Sequence, residues 1–115
     1  NIETVTLFAI FHDCMRRNEG YDPGHGAEGA GAARKARNMG LYQLEDREFD
    51  RLCYACRYHA DGQVTSDVTV GTCWDADRLD LPRAGKVPDS RWMSTSAGRA
   101  AVEADDCALW KKVTP

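Results

Sequence analysis

Apolar positions recur at helical spacing through most of the chain, and the two-residue alternation of a half-buried strand is almost absent. Only Gln63 to Val70 has a β-branched flavour, and Ser66 and Asp67 interrupt it. Five helices are predicted. The first covers Ile2 to Arg16, with Val5, Phe8, Ala9 and His12 on one face. A Gly- and Pro-punctuated loop follows at Asn18 to Gly24. The second helix runs from His25 to Met39 and stops at Gly40, with His25, Gly29, Ala32, Ala36 and Met39 on a small-residue face suited to close helix approach. The third spans Asp46 to His59 with a core stripe of Phe49, Leu52, Cys53 and Cys56. The fourth runs from Asp67 to Leu81, with Ser66 or Asp67 as N-cap and Pro82 barring continuation. Gly85 to Met93 reads as a loop and Ser94 to Trp110 as the last helix. The expectation is an all-α, compact bundle forming a single domain over residues 1–115.

Composition narrows the class. At 115 residues, with 43% hydrophobic and 29% charged residues, the chain suits one modest core. A net charge of −3 recommends neither nucleic acid nor an anionic membrane as partner. No apolar run approaches the roughly 20 residues of a spanning helix, and Val5 to Phe11 lacks the basic start of a signal peptide. Five cysteines are an odd number and sit largely within predicted helices, which suits a reducing, cytoplasmic setting better than a disulfide framework. Cys53 and Cys56 form a Cys-x-x-Cys pair, but on a core stripe they read first as small hydrophobes and only second as zinc ligands. Trp74, Trp92 and Trp110 read as packing residues.

The chemistry lies in polar side chains placed where periodicity calls for core. His12 extends the first helix's apolar stripe and Asp13 adjoins it; His25 opens the second helix; His59 continues the core face of the third. Asp77 shares a face with Val70, Trp74 and Leu81, while Asp75 lies beside Val68 and Leu79. Buried carboxylates are costly unless paired or bound to a cation, and imidazole with carboxylate suits a transition metal better than an all-oxygen cage. Singly, each has a plainer reading: a core histidine, a helix-start residue, or a solvated acidic face paired with Arg78.

Taken in order, these residues are specific. Phe11-His12-Asp13 at the end of an apolar helix, His25-Gly26-Ala27-Glu28-Gly29-Ala30, His59, and Asp75-Ala76-Asp77-Arg78-Leu79-Asp80 resemble the motifs of the HD superfamily of metal-dependent phosphohydrolases, from Leu7 to Leu81. The resemblance implies an HD-like helical fold and a divalent metal ion (Mn, Fe, Co, Ni, Zn or Mg). His12 and Asp13 would ligate a shared ion together with Asp77, or Asp75 in its place. His25 and His59 would serve a second ion or position the phosphate. The family's first ligand, a histidine on a preceding helix, has no counterpart upstream of His12; the expectation is an N-terminally incomplete chain or a reduced site.

The implied activity is hydrolysis of a nucleotide or other small phosphoester, with Asp13 accepting the proton of the attacking water and Arg16 clamping phosphate. Arg78 and Arg83 are weaker candidates for the clamp, and Arg16 with Arg17 also suits the negative end of the first helix. The alternative is a catalytically silent helical module that binds a metabolite or protein partner.

Overall fold

The computed structural model describes residues 1–15, 24–80 and 87–104. These form five α-helices, α1 (Ile2–Phe11), α2 (His25–Asn38), α3 (Asp46–Tyr58), α4 (Val68–Leu79) and α5 (Ser96–Ala104), with a 3-10 turn at Ser90–Trp92. The protein is all-α, and no strand occurs among the described residues. Backbone contacts divide the chain into two units, Asn1–Gln63 and Val64–Pro115. No helix of the described residues is long and apolar enough to cross a membrane.

In the first unit, the start of α1 and the end of α2 have clear chemical causes. Asn1 caps α1 by accepting from the Thr4 amide at 3.0 Å. The helix was expected to reach Arg16 but ends at Phe11, with His12 as its C-cap, the His12 ring against the Phe8 carbonyl and residues 12–15 following as turns. Arg16 and Arg17, expected to clamp phosphate or complement the helix dipole, lie outside the described residues. α2 ends in a Schellman motif: Gly40 (φ 77°) donates to the Arg37 carbonyl at 3.0 Å and Leu41 donates to Ala36 at 3.1 Å. Met39, expected on the packed face, is 65% exposed as a result.

The packed face of α2 is His25, Gly26, Gly29, Ala30, Ala33 and Ala36, rotated slightly from the expected stripe so that Ala33 replaces Ala32. Its glycines determine how near it lies to its neighbours. A Cβ on Gly26 would fall 2.6 Å from the carbonyl oxygens of Cys56 and Arg57, and one on Gly29 would fall 2.5 Å from the Phe11 oxygen. Backbone therefore meets backbone where α2 begins and where α1 and α3 end. On α1, Thr4 and Phe8 are buried while Ala9, expected inside, is exposed. The buried threonine has a partner the periodicity did not suggest. Its hydroxyl donates to Glu48 Oε1 at 3.0 Å, and Arg51 donates to Glu48 Oε2 at 2.6 Å. A carboxylate buried at the α1–α3 contact is thus satisfied on both oxygens.

In the second unit, Asp67 caps α4 by accepting from the Val70 amide at 3.0 Å, as its sequence position suggested. Trp74 and Cys73 are fully buried, and burial pushes the Cys73 thiol up to about 12. Val68 is 74% exposed, so it shares no buried face with Asp75. Helix α5 starts at Ser96 rather than Ser94, because Thr95 serves as its cap, accepting from the Gly98 amide at 2.9 Å. Trp92, expected to pack, is 51% exposed, and Trp110 lies outside the described residues.

The glycines of α2 supply an internally controlled test. Gly31 has open space around its Cβ position, so Gly31→Ala should stabilise by up to about 1 kcal/mol through helix propensity. Gly29→Ala should instead cost about 1–3 kcal/mol by forcing α2 off the end of α1. Paired denaturant titrations check both, and equal effects of the two substitutions would contradict the close approach.

Candidate metal centre

Three helix ends supply the site, all within the first unit. His12 is the C-cap of α1 and His59 the C-cap of α3, while His25 is the first residue of α2. Asp13 stands in the turn directly after α1. The two C-termini present the negative ends of their helix dipoles, which favours a cation beside them.

Hydrogen bonds determine which lone pairs face the centre. His12 Nδ1 lies 2.8 Å from the Phe8 carbonyl oxygen and His59 Nδ1 lies 2.7 Å from that of Cys56. A carbonyl only accepts, so each Nδ1 carries the proton and donates. In the neutral ring, each Nε2 is then a bare electron-pair donor. This is the outer-shell arrangement that orients imidazoles toward metals. Ring packing reinforces it. Phe8 stacks on His12 with centroids 4.5 Å apart and meets His59 edge-on at 6.0 Å.

The Nε2 atoms converge on the Asp13 carboxylate. His25 Nε2 and His59 Nε2 are each 3.3 Å from Asp13 Oδ1 and 2.9 Å from one another, and His12 Nε2 is 3.4 Å from Asp13 Oδ2. With metal–ligand bonds of about 2.0–2.1 Å, neighbouring ligands of a tetrahedral or octahedral ion stand roughly 2.9–3.4 Å apart. The spacing of Asp13, His25 and His59 therefore matches the edges of such a polyhedron, and these residues can hold a metal ion. His25 and His59 side chains are 6% and 3% exposed, whereas Asp13 at 31% reaches solvent. Protein ligands thus stand on the buried side, with access for an exchangeable group beside Asp13.

The structure brings together His12, Asp13, His25 and His59, four of the residues expected from the sequence. Asp77 lies on α4 in the second unit, half-buried. Its neighbour Asp75, the open alternative to Asp77, is buried and engaged on both oxygens. Asp75 Oδ1 accepts from the Ser94 amide at 2.6 Å, and Oδ2 accepts from the Thr95 amide at 2.8 Å and the Thr95 hydroxyl at 2.6 Å. It holds the start of α5, and Gly98 leaves the space its carboxylate fills. Arg78, a secondary candidate for binding phosphate, is buried and donates to the Trp92 carbonyl at 2.7 Å; Arg83 lies outside the described residues.

Cys14, Cys53, Cys56 and Cys73 are free thiols. Cys56 is buried as expected, but Cys53 is only half-buried, since α3 turns Ala55 inward in its place. Burial raises the Cys53 pKa, against the nearby Arg34 and Arg37 charges. Among the described residues, the groups able to hold an ion consist of histidine and aspartate, without cysteine.

Replacing Asp75 should separate structural from ligating carboxylates. Asp75→Ala leaves two amides and a hydroxyl without their acceptor, at a cost of about 3 kcal/mol. Protection of the α5 amides from hydrogen exchange should fall while affinity for divalent metal stays unchanged. Lost metal affinity with α5 intact would reverse the assignment.

Compared with known proteins, the chain matches no family model, no curated protein and no solved structure.

Proposed function

We propose that the protein is a divalent-metal-dependent phosphohydrolase acting on a nucleotide or other small phosphoester, with Asp13, His25 and His59 as metal ligands and His12 beside them. The carrying observation is the convergence of Nε2 lone pairs on one carboxylate, with His12 and His59 oriented by their Nδ1–H bonds to Phe8 and Cys56. Uncompensated, such a set of electron-pair donors repels; a cation resolves it.

A bound divalent ion supplies Lewis acidity and makes water a competent nucleophile near neutral pH. The chain's own residues do the rest. His12 and His59 hold their rings through the backbone, so the donor set is organised before any ligand arrives. Asp13, the most exposed of the four, is placed to take a proton from an attacking water. The opening of α2, where the N-cap Gly24 brings no side chain of its own, gives a phosphate oxygen a favourable dipole. Asp77 as a further ligand and Arg16 as phosphate clamp belong to this reading as proposals.

One observation favours the silent-module alternative. The 2.9 Å contact between His25 Nε2 and His59 Nε2 also forms without metal if His25 carries its proton on Nε2 and donates to His59. A cluster closed by that proton would need no ion.

The two readings part at Asp13. For the enzyme, Mn²⁺, Co²⁺ or Ni²⁺ should raise the melting temperature and support hydrolysis across a phosphoester panel. Asp13→Ala should abolish both while leaving the fold intact, because a ligand stabilises only the state that binds it. Metal-free stability of the variant should be equal or slightly higher, since one acid leaves a crowded site. A wild-type melting temperature indifferent to all three metals, with no phosphoester hydrolysed, would sink the enzyme reading.

A further inference from the structure

Helices α2 and α3 enclose a second feature that the metal centre does not use. A groove of about 420 Å³ runs between them, within the range of small-molecule sites. From α2 it is lined by Ala27, Ala30, Gly31 and Arg34, at helical spacing beside the packed face, with which it shares Ala30. The small side chains leave the floor open, and Gly31 has no heavy atom near its Cβ position. From α3 come Tyr54, Arg57 and Tyr58.

The arginines of this groove differ from Arg37 and Arg51 of the same unit. Arg37 pairs with Asp46 at 2.8 Å and Arg51 with Glu48 at 2.6 Å. Arg34 and Arg57 meet no carboxylate among the described residues. Their guanidinium groups lie instead over aromatic rings, Arg34 at 5.0 Å from the Phe49 centroid and Arg57 at 5.9 Å from that of Tyr58. Tyr54 and Tyr58 pack together at 4.9 Å, and Tyr54 stays 47% exposed. Two guanidinium groups without carboxylate partners offer planar donors to one anion, and an exposed aromatic pair offers a face to a planar ring.

We propose that this groove is a binding site for a mononucleotide, its phosphate between Arg34 and Arg57 and its base against Tyr54. The site is independent of metal, because none of its residues belongs to the histidine–aspartate cluster around Asp13. It stands whether or not the hydrolase reading does.

Calorimetric titration of the full chain in EDTA keeps the two sites distinct, with adenosine 5′-monophosphate, adenosine and ribose 5-phosphate as probes. The monophosphate should bind saturably, and each fragment should bind about tenfold more weakly or worse. Arg57→Gln, on an exposed position, should weaken the monophosphate about tenfold while leaving adenosine unchanged. Tyr54→Ala should weaken the monophosphate and adenosine alike by about tenfold or more. Circular dichroism verifies that each variant is folded, and Arg57→Gln decides alone if Tyr54→Ala is not. Three results would overturn the proposal: no saturable binding in EDTA, adenosine binding as tightly as its monophosphate, or affinity indifferent to Arg57→Gln. Binding that appears only when metal is added belongs to the Asp13 centre and overturns it too.

Discussion

Everything at the candidate centre depends on α2 lying against the carbonyl ends of α1 and α3 with no side chain between them. Gly26 and Gly29 make that possible, since a methyl group at either would sit within 2.6 Å of a backbone oxygen. Two internal glycines weaken a helix by about 1 kcal/mol each relative to alanine. That cost is tolerated where it brings His25 within 2.9 Å of His59 and 3.3 Å of Asp13. Phe8 completes the arrangement, touching both His12 and His59 rings from the buried side of α1. The same small-residue helix presents Ala27 and Gly31 beside its packed face, leaving the Arg34–Arg57 groove open.

Electrostatics follows from that packing. Two helix C-termini and a carboxylate converge, and the carbonyls of Phe8 and Cys56 take the Nδ1 protons of His12 and His59. Backbone thereby sets the tautomers, and the tautomers set which atoms face Asp13. The contrast with Asp75 is instructive: that aspartate is more deeply buried, yet amide and hydroxyl donors of its own unit satisfy it. Burial alone therefore does not identify a ligand. The nature of the facing atoms does.

Much of this was legible in the chain because periodicity places histidines where apolar residues belong. His12, His25 and His59 follow the helical phase, and Gly40 and Asp67 mark their helix boundaries by known capping chemistry. What was illegible depended on long-range partners. Thr4 falls outside the apolar stripe of α1, and its burial goes with a hydrogen bond to Glu48, 44 residues on. α1 looked longer because no glycine or proline stands between Phe11 and Arg16. Asp75 and Asp77 looked interchangeable because amides near Ser94, almost twenty residues on, decide Asp75. The groove arginines carried no motif; what sets them apart from Arg37 and Arg51 is that they meet no carboxylate among the described residues.

The central claim concerns where the protons of two imidazoles sit, and side-chain ¹⁵N NMR reads that directly. In the metal-free protein, His12 and His59 should appear as Nδ1–H tautomers with Nε2 unprotonated. On titration with Zn²⁺, the Nε2 resonances of His25 and His59 should shift while the Nδ1 proton of His59 stays in place. A proton resident on His59 Nε2, or His25 and His59 resonances that do not move with zinc, would contradict the account.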